Sequence, residues 1–307
     1  MTLDVYRYSF PALGTVCEFH LHASDEAAAD RAARAAETEV FRIERRYSRY
    51  HEDSVLSAIN RVAESGGTIE VDEETAGLLD YARSCHRMSG GLFDITSGVL
   101  RAAWPFTDGR MPTQELIDAL LPRIGFDKLE WRPSRLTFSR PGMALDFGGI
   151  GKEYAADRAA AACVASGIRH GLVDLGGDIH VIGPRPGGEP WRIGIRDPRQ
   201  PGATIATVSL GGGGLATSGD YERFIEIDGR RYGHILDPRT GWPIRGLSSV
   251  SVVADRCLVA GSVATIAMLK GRDGVAWLES LGVAHLWIDD ADGRGGPLSG
   301  FPVTPGC

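Results

Sequence analysis

The sequence predicts an α+β fold of mixed, largely antiparallel sheets with helices packed on them, and three observations carry that prediction. Residues 16–22 (VCEFHLH) alternate, with Cys17, Phe19 and Leu21 on one side and Glu18, His20 and His22 on the other. That period of two belongs to a half-buried strand. Asp228-Gly229 sits between two strand-like runs, the pattern of a two-residue hairpin, and such a connection joins only antiparallel strands. Helical patterns dominate early, strands fill the middle, and helix returns near the end. The strict strand–helix alternation of a parallel sheet is missing.

The elements follow in order. After the alternating strand, Ser24 is read as the cap of an Ala-rich helix that runs to about Arg46, with Asp25 and Glu26 in its first turn where carboxylates favour the dipole. A second short helix starts at Ser54. A third spans 73–88, capped by Asp72 and stopped by Gly90-Gly91. An irregular stretch over 101–123 ends in a short helix begun at Thr113. Strands are expected near 126–131, 135–139 and 143–147. A helix opens after the glycines at 148–151 and runs to about Ser166. Strands are expected at 171–182, 191–196, 203–210, 221–228, 230–236 and 248–254, then helices at 257–269 and 273–281 and a last strand at 283–288. With neither a low-complexity linker nor a repeat, residues 1–307 read as one unit, more helical over about 23–125 and strand-rich thereafter.

Of the 307 residues, 43% are hydrophobic and 24% charged, enough apolar content for a sizeable core. Net charge is −7, from 33 Lys and Arg against 40 Asp and Glu. An acidic balance argues against a nucleic-acid role, which needs clustered cations, but leaves room for a small nucleotide held at one anion site. Cys17, Cys85, Cys163, Cys257 and Cys307 form no C-x-x-C pair, so zinc is not expected and reduced thiols are. The N-terminus MTLDVYRYSFPALGT lacks the basic and apolar regions of a signal peptide, and no apolar run approaches ~18 residues, so a cytoplasmic chain without a membrane span is expected.

Two segments concentrate chemistry. In ALDFGGIGKEYAADR (144–158) a strand ends at Asp146, glycines follow, and a helix begins near Lys152. Free N–H groups at a helix start attract anions, and glycine lets a phosphate approach the backbone. The segment is neither a Walker loop nor G-x-G-x-x-G, and a plain strand-to-helix turn with a surface lysine would read the same way. In ATSGDYERF…HILDPRTGWP (216–243), His234 stands before a turn set by Pro238 and Gly241. Histidine suits proton transfer near neutral pH, although a hairpin with a polar turn is the plainer alternative. Weaker signals are Asp94 beside Phe93 in GLFDITSG (91–98), and Tyr50 in RYSRYHEDSVLSAIN (46–60), an aromatic on a loop where it could stack on a flat ring.

Together with LGT at 13–15, GLVDLGGDIHVIG at 171–183 and SVSVVAD…ATIAMLKG at 249–271, these pieces resemble the FAD:protein FMN transferase family, the ApbE-like flavin transferases, from about Leu13 to Lys270. The resemblance implies a T-fold-like, two-lobed unit. It also implies an enzyme that binds FAD, uses a divalent metal, usually magnesium, and transfers FMN to a Thr or Ser hydroxyl of a target protein while AMP leaves. Carried over by motif, Leu13, Tyr50, Leu92, Phe93, Asp94, Asp146, Lys152 and Leu236 match flavin-nucleotide contacts. Gly149, through its carbonyl, and Thr265 match metal-binding positions, and His234 matches the residue expected to act as base.

This sequence departs from the family pattern twice. The family has Ala-Asp-x-x-x-Thr where this chain has Ala260-Gly261-Ser262-Val263-Ala264-Thr265, so Gly261 stands in the place of a metal-binding carboxylate. Loss of that charge implies either weakened or altered magnesium use, or tolerance with waters and FAD phosphates filling the coordination sphere; if the site is impaired, Gly261→Asp is expected to raise magnesium-dependent activity. Glu153 stands where many relatives have glycine. No segment resembles the acceptor motif, so a separate acceptor protein is implied. An FAD pyrophosphatase, or a flavin-binding relative without turnover, are the alternative readings of the same residues.

Overall fold

The computed structural model describes residues 3–106, 109–200 and 202–300. β1 (Asp4–Ala12) and β2 (Thr15–Ala23) pair antiparallel around Leu13-Gly14. Both turn residues have positive φ (54° and 73°), the backbone that a two-residue hairpin needs. Cys17, Phe19 and Leu21 are fully buried, as their alternation predicts. β1 was not expected, because Pro11 and its exposed side chains mark an edge strand rather than a core one. The first helix, α1 (Glu26–Tyr47), is capped by Asp25 and not by Ser24. Asp25 accepts from the Ala28 N–H at 2.8 Å, and the Ser24 hydroxyl donates to Asp25 instead.

Other caps fall where expected. Ser54 caps α2 (Val55–Ser65), Asp72 caps α3 (Glu73–Ser89), and Gly90 ends α3 in the left-handed conformation. β3 (Gly67–Glu70) follows α2, and Thr113 caps α4 (Gln114–Leu120). β4 (Leu129–Arg132) and β5 (Arg135–Phe138) form a small sheet with β3, in the order β3-β5-β4. Residues 126–128 are a single tight helical turn. Residues 143–147 form no strand. The Asn60 amide binds both the N–H and the carbonyl of Leu145, at 2.7 and 3.0 Å, so a side chain does what a strand partner would have done.

α5 (Gly151–Ala165) opens after the glycines. Residues 171–182 are two strands, β6 (His170–Leu175) and β7 (Asp178–Gly183), because Gly176 and Gly177 take positive φ and the Asp174 carboxylate accepts from the Gly177 N–H at 2.6 Å. β8 (Trp191–Arg196) and β9 (Thr204–Leu210) form a hairpin. β10 (Gly213–Gly219) is unannounced by its glycine-rich sequence. A Cβ on Gly214 would lie 2.2 Å from the Cys257 nitrogen, so the strand trades β-forming side chains for contact with a helix end. β11 (Phe224–Ile227) and β12 (Arg230–Gly233) meet at Asp228-Gly229 as expected. β13 (Leu247–Ala254), α6 (Cys257–Leu269), α7 (Asp273–Leu281), β14 (Ala284–Asp289) and the short β15 (Arg294–Gly295) complete the chain.

The main sheet runs β1-β2-β6-β7-β10-β13-β14-β15 with every pairing antiparallel, so the fold is α+β as predicted. Its two faces are covered differently. Phe19, Val173, Leu175, Val250 and Val252 pack against α1, α5 and α6, whose alanines let the helices lie close. Leu172, Ile179, Val181 and Leu215 face the β8–β9 hairpin. A third apolar group joins Val99, Leu100 and Trp104 to α4 and to the β11–β12 hairpin. That group brings residues 92–106 beside His234 and Leu236. Among the described residues, no helix is long and apolar enough to cross a membrane, and Cys17, Cys85, Cys163 and Cys257 are buried and unpaired. Cys307 lies outside the described residues.

Candidate functional site

The N-terminus of α5 opens on a cleft of about 190 Å³. No side chain caps this helix start; the Ile150 and Gly151 N–H groups bond the Phe147 carbonyl, so an anion meets the N–H groups that follow them. The glycines before it are sterically required. A Cβ on Gly148 would lie 2.9 Å from Asp146 Oδ1, and one on Gly149 would lie 3.2 Å from Phe93 Cζ. Leu92, Phe93, Asp94, Asp146, Gly149, Lys152, His234, Leu236 and Thr265 all line the cleft. Four separate stretches of sequence therefore converge there.

Two acidic residues already have partners. Asp146 binds Arg49 and Arg101, the latter at 2.5 Å, and accepts from the Gly148 N–H at 2.7 Å. It therefore holds the Arg101 guanidinium at the cleft wall, with the Arg49 guanidinium on its own carboxylate. Asp94 accepts from the Thr96 N–H and hydroxyl at 2.8 and 2.6 Å, and from the Phe126 N–H at 2.9 Å. Both of its oxygens are engaged in shaping the loop that carries Leu92 and Phe93.

Deeper in, Lys152 Nζ lies 2.9 Å from Asp178 Oδ2. Burial would depress the Lys152 ammonium, but the charge of Asp178, helped by Glu222 and Glu153, outweighs it and raises the pKa. Desolvation pushes Asp178 up against the pull of Lys152. Glu153, 6% exposed, is pushed up to about 8, first by desolvation and then by the charge of Asp178. Its Oε2 has no hydrogen-bond partner. Thr265 Oγ1 and Ser218 Oγ are 2.8 Å apart at the same wall.

His234 Nδ1 lies 3.2 Å from the Arg223 carbonyl. A carbonyl only accepts, so Nδ1 carries the proton and Nε2 holds the free lone pair. Burial, the largest cause, lowers the His234 pKa to about 4 against the Arg223 carbonyl contact, which raises it, and the charges of Arg223, Arg101 and Lys152 also lower it. The ring is neutral at pH 7. The loop after it is tight: Leu236 bridges to Pro243, Ile244 donates to Ile235, and the Trp104 indole donates to the Gly241 carbonyl at 2.8 Å.

Leu13 and Tyr50 lie outside the cleft lining. Leu13 sits in the β1–β2 turn, donating from its N–H to Glu44 at 2.6 Å, and a Cβ on the adjacent Gly14 would lie 3.3 Å from an Arg223 nitrogen. Tyr50 is 77% exposed, with the Arg49 guanidinium 4.8 Å from its ring centre and donating to its hydroxyl. Through Arg49 it connects to Asp146.

Arg49, Arg101, Asp178 and Ser218 escaped the sequence reading. Asp178 left one signal, an acid opening an apolar strand just after two glycines. A Cβ on Gly261 would lie 2.5 Å from both Cγ and Oε1 of Glu153, so the space beside Gly261 is already filled by a carboxylate and an aspartate there would collide with it. Among the described residues, no three His, Cys, Asp or Glu side chains converge as a metal cluster. Glu153 Oε2, buried and unpartnered in the same cleft lining as Thr265 and Ser218, does fit a hard divalent cation that keeps most of its coordination for water and phosphate.

A FAD:protein FMN transferase of Rhodobacter capsulatus is 35% identical over 270 residues, covering 86% of this chain and 51% of that protein. This chain thus spans about half the length of that relative. A FAD:protein FMN transferase of Treponema pallidum is 33% identical over 284 residues, covering 85% and 77%. A crystal structure of the ApbE protein of Thermotoga maritima superposes with a TM-score of 0.87 at 33% identity, covering 95% of this chain and 97% of that one. Residues 13–287 match the ApbE family as a whole. With that match running from the Leu13 turn to beyond Thr265, the chain belongs to the ApbE family.

Proposed function

We propose that this chain binds FAD, transfers its FMN moiety to a Thr or Ser hydroxyl of a separate acceptor protein, and releases AMP. The observation that carries the reading is one cleft joining an anion-accepting wall to a neutral histidine. The wall is the uncapped start of α5 with Lys152 and Arg101, and Arg49 adds its charge through Asp146. The names of the Rhodobacter and Treponema relatives support it.

In this reading the diphosphate of FAD lies against that wall, where N–H groups and cations offset its charge. The acceptor hydroxyl gives its proton to His234 Nε2 as its oxygen bonds to the FMN phosphorus. The bond from that phosphorus to the bridging oxygen breaks, and the electron pair leaves with AMP. A histidine with a pKa near 4 is a poor base in the empty cleft. Phosphate charges beside Arg101, Arg223 and Lys152 raise its basicity once FAD is bound. Magnesium, when bound, neutralises diphosphate charge, and Thr265 with the Gly149 carbonyl would hold it. Leu92, Phe93 and Leu236 give an apolar wall. The closed volume is below the ~300 Å³ of an ordinary ligand pocket, so the dinucleotide extends past the mouth, toward Leu13 and the exposed Tyr50 ring. Asp94 and Asp146 act by holding the loop and the arginines.

Incubation with FAD, magnesium and a peptide bearing an acceptor Thr or Ser is expected to release AMP and label the peptide with flavin. AMP without label would instead identify an FAD pyrophosphatase. Tight FAD binding with no AMP at all would overturn both.

A further inference from the structure

We infer that Glu153 is the carboxylate ligand of a divalent-cation site at the start of α5, and that Gly261 is a glycine so that this carboxylate can occupy the space beside α6. This deepens the proposed function by naming the side chain that serves the metal, and it rests on that reading only for the metal's purpose.

The packing of α5 on α6 sets the geometry. Asp157 of α5 accepts from the Cys257 and Leu258 N–H groups at the start of α6, at 2.9 and 3.1 Å, and its Oδ1 is 2.6 Å from His180 Nδ1. One turn back along α5 is Glu153, and one turn forward along α6 is Gly261. Contacts in that crossed order mean that the helices run antiparallel, so the next turn of α6 carries Thr265 toward Lys152 and the cleft. A Cβ on Gly261 would lie 2.5 Å from Glu153 Cγ, 2.5 Å from Oε1 and 2.8 Å from Cδ. Those atoms include the carboxylate itself, on a side chain that is 6% exposed, so any residue larger than glycine displaces the carboxylate.

Glu153 has an oxygen to offer. It is 6% exposed, lines the cleft, and leaves Oε2 without a partner. The buried Asp178 lies in the same wall, and its neighbouring ammonium, Lys152, is engaged with it at 2.9 Å. Lys152 is committed to Asp178, and the buried Glu153 oxygen that is left without a partner is unfavourable until something binds it. The remaining groups offered are oxygens, from the Thr265 and Ser218 hydroxyls. One carboxylate, hydroxyl oxygen and room for water and phosphate is the set that magnesium or manganese accepts, and it disfavours softer metals.

The test is Mn2+ titration followed by electron paramagnetic resonance, with and without FAD, on the full chain. The wild type is expected to bind one Mn2+ and Glu153→Gln to weaken it at least about tenfold, since even groups that only orient a metal ligand cost that much. Melting of the metal-free proteins checks folding: Glu153→Gln is expected to melt no lower than the wild type. The double variant Glu153→Gly, Gly261→Asp is expected to bind Mn2+ again, with the carboxylate reaching the same space from the other helix. Absence of Mn2+ binding by the wild type under both conditions, or undiminished binding by Glu153→Gln, would overturn the inference. Neither readout depends on AMP release or on flavin transfer, so a failed transferase assay with intact Mn2+ binding would count only against the proposed function.

Discussion

His234 shows how one side chain's environment sets both reactivity and stability. Its pKa falls from an ordinary 6.5 to about 4 on folding, chiefly through burial. A lowered folded pKa means that the unfolded chain binds the proton first. The stability this residue contributes is full above about pH 6.5 and is lost as pH falls from there through about 4. His234→Gln should therefore flatten the fall in denaturant midpoint between pH 6.5 and 4, and an unchanged profile would show that the ring is not held neutral. His234→Ala should abolish AMP release while leaving FAD binding intact, measured by flavin fluorescence. Gly261→Asp on its own should lower stability by roughly 1–3 kcal/mol through overpacking against Glu153, read from denaturant melts. A rise in magnesium-dependent activity from that variant would contradict the packing seen here.

At the scale of elements, one carboxylate holds two helices in register. Asp157 lies on α5 yet satisfies the first N–H groups of α6, a cap supplied from about a hundred residues away. α6 has no side-chain cap of its own. Asp157→Ala leaves both buried donors unpaired and should cost about 1–3 kcal/mol. Because Glu153 and Gly261 sit one turn from this anchor, the same variant should also weaken Mn2+ binding, and a stability loss with unchanged Mn2+ affinity would separate the anchor from the site.

Across the whole molecule, the cleft depends on an apolar group that packs behind it. Trp104 is fully buried, stacks with Tyr232, meets Trp242 edge-on, and donates to the Gly241 carbonyl. It ties residues 92–106 to the loop that carries His234. Trp104→Ala should cost about 3–5 kcal/mol, with faster hydrogen exchange at the amides of 235–244. Exchange unchanged in that loop would show that it is held by other contacts.

Local patterns were enough for much of this. Alternation placed β2, Asp228-Gly229 placed the β11–β12 hairpin, and Ser54, Asp72 and Thr113 placed helix starts, because caps and turns are decided by a few adjacent residues. Ordered motifs gathered His234, Lys152, Asp146 and Thr265 into one expected site. What adjacent residues cannot encode is the partner across space. The sequence alone showed a carboxylate missing at Gly261 and an unexplained one at Glu153, about a hundred residues apart. Only the packing of α5 on α6 brings these two departures to one point, where the space left by the glycine is the space the glutamate fills.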